Sequence, residues 1–293
     1  MALHDPASRF AGQRTCRVRP WHVAAGVTLL LGLTALPCHA ADRFITLAST
    51  TSTQNSGLFR YLLPIFTRET GIAVHVVAVG TGQALKIGER GDADALLVHD
   101  KTAELEFLRK GFASERRDVM YNDFVVVGPK SDPAGISGMK DCVAAFQKIA
   151  ASKSPFVSRA DDSGTNRMEL RLWKQASVPV HEASGTWYRE SGSGMGATLN
   201  TAAGMDAYTL TDRATWANFG NRGNLVIVVQ GDKRLFNQYG VLPINPARYP
   251  QVKHADAMAF ADWLTSPHGQ QVISEYKIKG EALFYPNAHP ARK

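Results

Sequence analysis

The sequence predicts an α/β protein in which a mixed, mostly parallel sheet is flanked by helices. Short apolar runs of strand length alternate with segments of helical period along the chain. Turns rich in Gly, Ser and Thr separate them, and strands alternating with helices imply parallel pairing. Only Cys142 lies beyond the first 40 residues, so an ordinary apolar core rather than disulfides holds the fold.

The elements follow in order. Phe44–Ala48 reads as a buried strand, followed by the polar run Ser49–Ser56. Leu58, Leu62, Ile65 and Phe66 recur at helical spacing, with Pro64 expected to kink that helix and Gly71 to end it. Ile72–Val79 is a second strand. Gly80-Thr81-Gly82 turns the chain into a helix over Gln83–Glu89. Ala93–Val98 is a strand, Glu104–Lys110 a helix closed by Gly111, and Asp123–Val127 a further strand. Phe156-Val157 leads into the loop Ser158–Thr165, and Met168, Leu172 and Ala176 mark the helix after it. Gly192–Gly196 opens a helix reaching Ala203. Ala207–Leu210 and Leu225–Val229 are strands, and Ala257–Thr265 and Gly269–Tyr276 are helices with Pro267 between them.

The chain begins like an exported protein. Arg9, Arg14, Arg17 and Arg19 precede the apolar run Val23–Leu36 and the small residues before Ala41. Such a run is shorter than the roughly 18–20 residues needed to span a bilayer, so residues 1–40 read as a signal peptide cut after Ala40. Residues 1–40 contain no arginine pair, which favours general secretion, and Pro37 argues against lipid anchoring at Cys38. Cleavage removes those four arginines and Asp5, taking the formal net charge from +7 to +4. That mild surplus carries no basic cluster and gives no support to nucleic-acid binding.

The chemistry concentrates in four segments that each place Ser, Thr or Gly between a strand and a helix: Ser49–Ser52, Gly80–Gly82, Ser158–Thr165 and Gly192–Gly196. Helix starts carry unpaired N–H groups and the positive end of the dipole. Capping alone explains any one segment, whereas four converging would form an anion site with little formal charge. Arg159 adds a fixed fork of donors that stays charged when desolvated; its other reading is an ion pair with Asp161 or Asp162.

At these residues the sequence resembles periplasmic tungstate-binding proteins of the TupA type. Ser49-Thr50-Thr51-Ser52-Thr53-Gln54-Asn55-Ser56-Gly57-Leu58 is similar to their opening and Ser158-Arg159-Ala160-Asp161-Asp162-Ser163-Gly164-Thr165 to a second signature. Gly194–Asn200 and Tyr208–Arg213 match a third and a fourth. The sequence departs from the usual pattern at Ala160, where Gly is common, and at Asn166, where His is common.

The resemblance covers essentially all of residues 41–293. It implies a two-lobed periplasmic binding protein fold of type II, with residues 41–125 plus 241–293 in lobe one and 126–240 in lobe two. Asp123–Val126 and Tyr239–Pro243 would be the crossovers. It implies a monomeric periplasmic binding protein without cofactor or bare metal ion, delivering tungstate or molybdate to an ABC permease and its ATPase. The anion contacts it implies are Thr50, Thr51, Ser52, Thr81, Arg159, Ser163, Gly164 and Thr165, with Ser193 and Thr198 added. Arg213 is either ligand-facing or a hinge ion pair.

Two other functions remain as alternatives: a hydrolase or phosphate-handling enzyme on an α/β scaffold, and a secreted oxyanion sensor. Residues 41–293 contain no Gly-x-Ser-x-Gly, P-loop or His-Glu-x-x-His pattern, and His75, His99, His181, His254, His268 and His289 lack ligand spacing. A neighbouring His99-Asp100 pair could join a base to its orienting acid.

Overall fold

The computed structural model describes residues 43–288; the expected signal peptide and its cleavage point lie outside them. Strand β1 (Phe44–Thr50) runs directly into a short helix α1 (Thr51–Asn55), and Thr50 caps it by accepting the Thr53 N–H. Helix α2 (Leu58–Thr70) buries Leu58, Phe59, Leu62 and Phe66 on one face, continues through Pro64 and stops at left-handed Gly71. Then come β2 (Ala73–Val79), α3 (Thr81–Glu89), β3 (Ala95–Val98), α4 (Lys101–Arg109) and the long strand β4 (Arg117–Pro129).

The middle of the chain holds α5 (Cys142–Ser152), β5 (Phe156–Ser158), α6 (Gly164–Gln175), β6 (Tyr188–Glu190), α7 (Met195–Gly204), β7 (Thr209–Asp212), α8 (Arg213–Asn218) and β8 (Leu225–Val229). Strand β9 (Phe236–Pro243) then leads to α9 (His254–Thr265) and α10 (Pro267–Glu275). Pro267 is the first residue of α10 rather than a spacer between helices: its missing N–H has no partner to lose there, and Ser266 caps the Gly269 N–H. The chain ends in β10 (Lys277–Ile278), β11 (Glu281–Ala282) and β12 (Tyr285–Pro286).

Strand pairing is parallel where β1 meets β2 and β3, and where β5 meets β6. The expectation of a mostly parallel sheet does not extend to β4 and β9. Strand β9 runs antiparallel to β3 and β4, and β4 runs antiparallel to β7, β8 and β12. The reason is topological: β4 and β9 carry the chain out and back between two groups of elements, so they pass in opposite directions.

The partners of β4 change along its length. Arg117–Asp123 pairs with β9, whereas Phe124–Pro129 pairs with β7 and β8. The apolar clusters change at the same place. Ile45, Leu47, Phe66, Met120, Tyr239 and Phe260 share one cluster, with Leu96, Phe107 and Leu242 in another beside it. Phe124, Phe146, Phe156 and Trp173 form a third, and Val125, Val157, Met195 and Leu199 a fourth. Burial of such side chains is the main favourable term in holding each group together.

Candidate functional site

The loops at the carboxyl ends of β1, β2 and β5 meet. After β5 the chain is drawn out by Ala160 and Asp162, both in the left-handed region (φ 50 and 56). These turns swing Arg159 inward until it is 2 % exposed. One terminal nitrogen of its guanidinium donates to Ser52 Oγ at 3.2 Å; the other donates to Thr51 Oγ1 at 3.2 Å and to Asp161 at 2.6 Å. Its Nε is buried with no hydrogen-bond partner among the described residues. The loop is braced from behind: Ser158 Oγ receives the Ala160 N–H and the Asn166 side-chain amide, and Asn166 Oδ1 receives the Asp162 N–H. Asn166 thus supplies the loop support at the position where the resembled family commonly has His.

The β2–α3 turn packs directly on this loop. Gly164 N–H donates to Thr81 Oγ1 at 3.0 Å, and Gly82 N–H donates to the Asp162 carbonyl at 3.1 Å. A Cβ at Gly80 would lie 3.1 Å from the Asp161 carbonyl, and one at Gly164 would lie 3.0 Å from both the His99 ring and Thr81 Oγ1. At Gly80 backbone meets backbone, and at Gly164 the backbone meets the His99 ring and the Thr81 side chain, so neither position has room for a larger residue. Thr165 Oγ1, like Arg159 Nε, is buried and without a partner. The Gly192–Gly196 turn closes the remaining side: a Cβ on Gly194 would be 3.7 Å from Thr51 Oγ1, and Ser193 N–H donates to the Arg159 carbonyl at 3.1 Å.

Hydrogen-bond capacity separates donors aimed at a ligand from groups already occupied. Ser52, Thr51 and Thr81 hydroxyls accept from Arg159 or Gly164, so each keeps a proton to donate. Arg159 Nε and Thr165 Oγ1 bring two further donors. A buried polar atom left without a partner costs roughly 1–3 kcal/mol, a cost that an acceptor reaching Arg159 Nε and Thr165 Oγ1 would remove. The Asp161 carboxylate is occupied on both oxygens, one by Arg159 and the other by Ser163 N–H at 3.3 Å. Asp162 is turned outward into a two-pronged pair with Arg167 at 2.8 and 2.9 Å, which lowers its pKa.

A model of the PBP superfamily domain matches residues 37–268. The chain belongs to that family. It is 49% identical over 248 residues to the tungstate-binding protein TupA of Peptoclostridium acidaminophilum, covering 83% of this chain and 86% of the relative. The solved structure of TupA from Desulfovibrio alaskensis G20 is similar at 49% identity and a TM-score of 0.72, covering 84% of this chain and 100% of that one. The structure of the tungstate ABC transporter protein from Geobacter sulfurreducens is similar at 48% identity and a TM-score of 0.72, covering 80% and 98%. The architecture described above is thus the two-lobed fold of a periplasmic binding protein.

Two of the expected contact residues, Thr198 and Ser193, have their hydroxyl protons engaged within the protein. Thr198 is fully buried, with its hydroxyl against Ser191 Oγ and the carbonyls of Ser193 and Gly194, so it shapes the turn before α7. Ser193 Oγ donates to the Ser191 carbonyl at 3.0 Å, leaving its N–H and hydroxyl both engaged. Ser163 caps α6 by accepting the Asn166 N–H at 3.2 Å, and like Thr81 it keeps its hydroxyl proton to donate. Arg213 points elsewhere: it pairs with Asp123 of β4 at 2.7 and 2.6 Å.

Sequence reasoning missed a buried polar group behind α1. It comprises His99, Asn122, Asp212 and Asn237, each under 5 % exposed. Burial and the nearby Arg159 charge push His99 down to about 4, so the imidazole is neutral. Burial raises Asp212. The His99-Asp100 pair is not a base with its orienting acid, because His99 hydrogen-bonds Thr50 and Asn237 while Asp100 faces Arg167 and Arg171. No cluster of three or more His, Cys, Asp or Glu able to hold a metal ion occurs among the described residues.

Proposed function

We propose that the protein is the extracytoplasmic solute-binding component of an ABC importer and captures tungstate in a cleft between its lobes. The observation that carries this reading is the set of donors around Arg159: its own buried Nε, the buried hydroxyls of Ser52, Thr81 and Thr165, and the half-buried hydroxyl of Thr51. A tetrahedral dianion offers acceptor oxygens to every one of them. Protonated phosphate brings a donor of its own to a site whose Arg159 Nε can only donate and whose Asp161 carboxylate already accepts from Arg159 and the Ser163 N–H, so it matches the donors less well than a fully ionised oxyanion. Molybdate, of the same charge and nearly the same size, fits the same donors.

The lobes of this reading are residues 41–125 plus 241–293 and residues 126–240. The change of β4 partners after Asp123 and the separate apolar clusters support that division at its first crossing; at the return crossing Tyr239 packs with the lobe-one cluster. The bound anion would pass to a permease and its ATPase, and the protein would act as a monomer in the periplasm after signal-peptide removal. No helix among the described residues is long and apolar enough to cross a membrane.

Competitive titration calorimetry with tungstate, molybdate, sulfate and phosphate tests the proposal. Tungstate should bind at least about a hundredfold more tightly than sulfate or phosphate, because the unmatched proton or poorer fit leaves donors unpaired. Binding of none of the four, or a preference for phosphate, would sink it.

A further inference from the structure

A chain of hydrogen bonds with one direction runs from the second lobe's edge to the β1–α1 corner. Asp212 anchors it: Oδ1 accepts the Thr215 N–H at 2.9 Å and faces the Asn122 side-chain amide at 3.5 Å. Asn122 Oδ1 accepts from the Asn237 amide at 2.7 Å. The Asn237 amide nitrogen being used there, its Oδ1 faces His99 Nδ1 at 3.0 Å, and an acceptor at that position requires Nδ1 to carry the imidazole proton. The other ring nitrogen is then a bare acceptor, 3.2 Å from Thr50 Oγ1. Thr50 gives its proton to His99 and accepts from Thr53 Oγ1 at 2.8 Å and Thr53 N–H at 3.2 Å.

Thr50 is therefore fully occupied, which removes its hydroxyl from the ligand contacts implied by the resemblance. The four links from Asp212 to Thr50 join β7, β4, β9, the end of β3 and β1, all within the buried interior. His99 is wedged there between the Tyr239 ring, 4.9 Å away between centroids, and the backbone of Gly164, where even a Cβ would lie 3.0 Å from the imidazole. It touches both the β1–α1 corner and the start of α6, which carry the donors that surround Arg159.

We propose that His99 is the positioning residue of the oxyanion site: as a neutral Nδ1–H imidazole it holds Thr50, and with it the Thr51 and Ser52 donors, in register with Gly164 and Thr165. The role rests on the oxyanion-binding reading above and deepens it. A side chain that presents an acceptor where Nε2 lies should substitute; one of similar bulk without an acceptor should not.

The test uses the mature protein, with tungstate as the probe. Long-range 1H–15N spectra at neutral pH should show the His99 proton on Nδ1, with and without tungstate. In calorimetry, His99→Leu should weaken tungstate binding by about tenfold or more, whereas His99→Gln, which keeps an acceptor, should stay within about threefold of the wild type. A proton on Nε2 would overturn the relay, and equal losses in two folded variants would overturn the positioning role. Should His99→Leu not fold, His99→Gln and the ring spectra still decide, because a large loss in His99→Gln contradicts the proposal. Failure of the wild type to bind tungstate would instead overturn the oxyanion reading itself, leaving the tautomer measurement to judge the relay alone.

Discussion

Arg159 and Asp161 meet at 2.6 Å inside one loop, two residues apart, while the same guanidinium reaches Ser52 and Thr51. The two readings of Arg159, anion ligand and ion-pair partner, are thus compatible: the carboxylate aims the fork and leaves Nε–H free. Hydrogen bonds to a charged group contribute about 1.5–3 kcal/mol. Arg159→Ala should accordingly lower tungstate affinity roughly 10- to 150-fold with the fold retained, and Arg159→Lys should recover only part, since a point charge cannot replace the fork. Calorimetry with circular dichroism measures both, and undiminished affinity in Arg159→Ala would remove Arg159 from the site.

Gly82 is a sharper probe of loop contact. A Cβ there would overlap the Asp162 carboxylate and lie 2.9 Å from the Asp162 backbone oxygen. The carboxylate can swing away, but the backbone cannot without displacing the Ser158–Thr165 loop. Gly82→Ala should weaken tungstate binding about tenfold or more, in keeping with small misplacements of binding groups, and should cost stability of about 1–3 kcal/mol from overpacking. Calorimetry and thermal melting would check the two effects separately.

Asp100 stands at the N-cap of α4 yet does not cap it. Glu104 reaches back instead to accept the Asp100 N–H at 2.7 Å. The freed carboxylate turns to Arg171 at 3.4 Å and Arg167 at 3.6 Å on α6. In the proposed division of lobes this links lobe one to lobe two beside the site. Partly exposed pairs contribute only about 0.2–1 kcal/mol each. Asp100→Asn should therefore speed tungstate release about three- to fivefold while association changes little, as seen by stopped-flow tryptophan fluorescence. An unchanged release rate would show that the pairs do not hold the closed form.

Much of this was legible in the sequence for a physical reason. Strands β1, β2 and β3 and helices α2, α3 and α6 carry apolar residues at the spacing of their own geometry. The meeting of Ser49–Ser52, Gly80–Gly82 and Ser158–Thr165 follows from strand-end loops of one architecture. Helix α1 was hidden because Thr51–Asn55 has no apolar face, and α8 because six residues set no period. Helix α5 is legible in principle, since Cys142, Ala145, Phe146 and Ile149 repeat at helical spacing behind the cap Asp141. The relay through Asn122, His99 and Asn237 could not be read at all, since its members come from three strands distant in the chain and no local pattern joins them.

The buried His99 gives a pH dependence whose sign is fixed. Its ordinary value of 6.5 is lowered to about 4 by burial and by Arg159, against the opposing Asn237 hydrogen bond and Asp100 charge. Between those values the unfolded chain binds a proton that the folded protein refuses. The stabilisation is therefore complete above about 6.5 and is lost as pH falls toward 4. Glu104 and Glu169 act oppositely. Burial raises both to about 7, so they reduce stability as pH rises through that range. The net profile of the wild type mixes these slopes, and only a difference isolates His99. The stability of wild type minus that of His99→Gln, from urea unfolding at several pH values, should rise by about 1–3 kcal/mol between pH 4.5 and 6.5 and then level off. A difference that stays flat across that interval would mean that His99 is as easily protonated in the folded protein as in the unfolded chain.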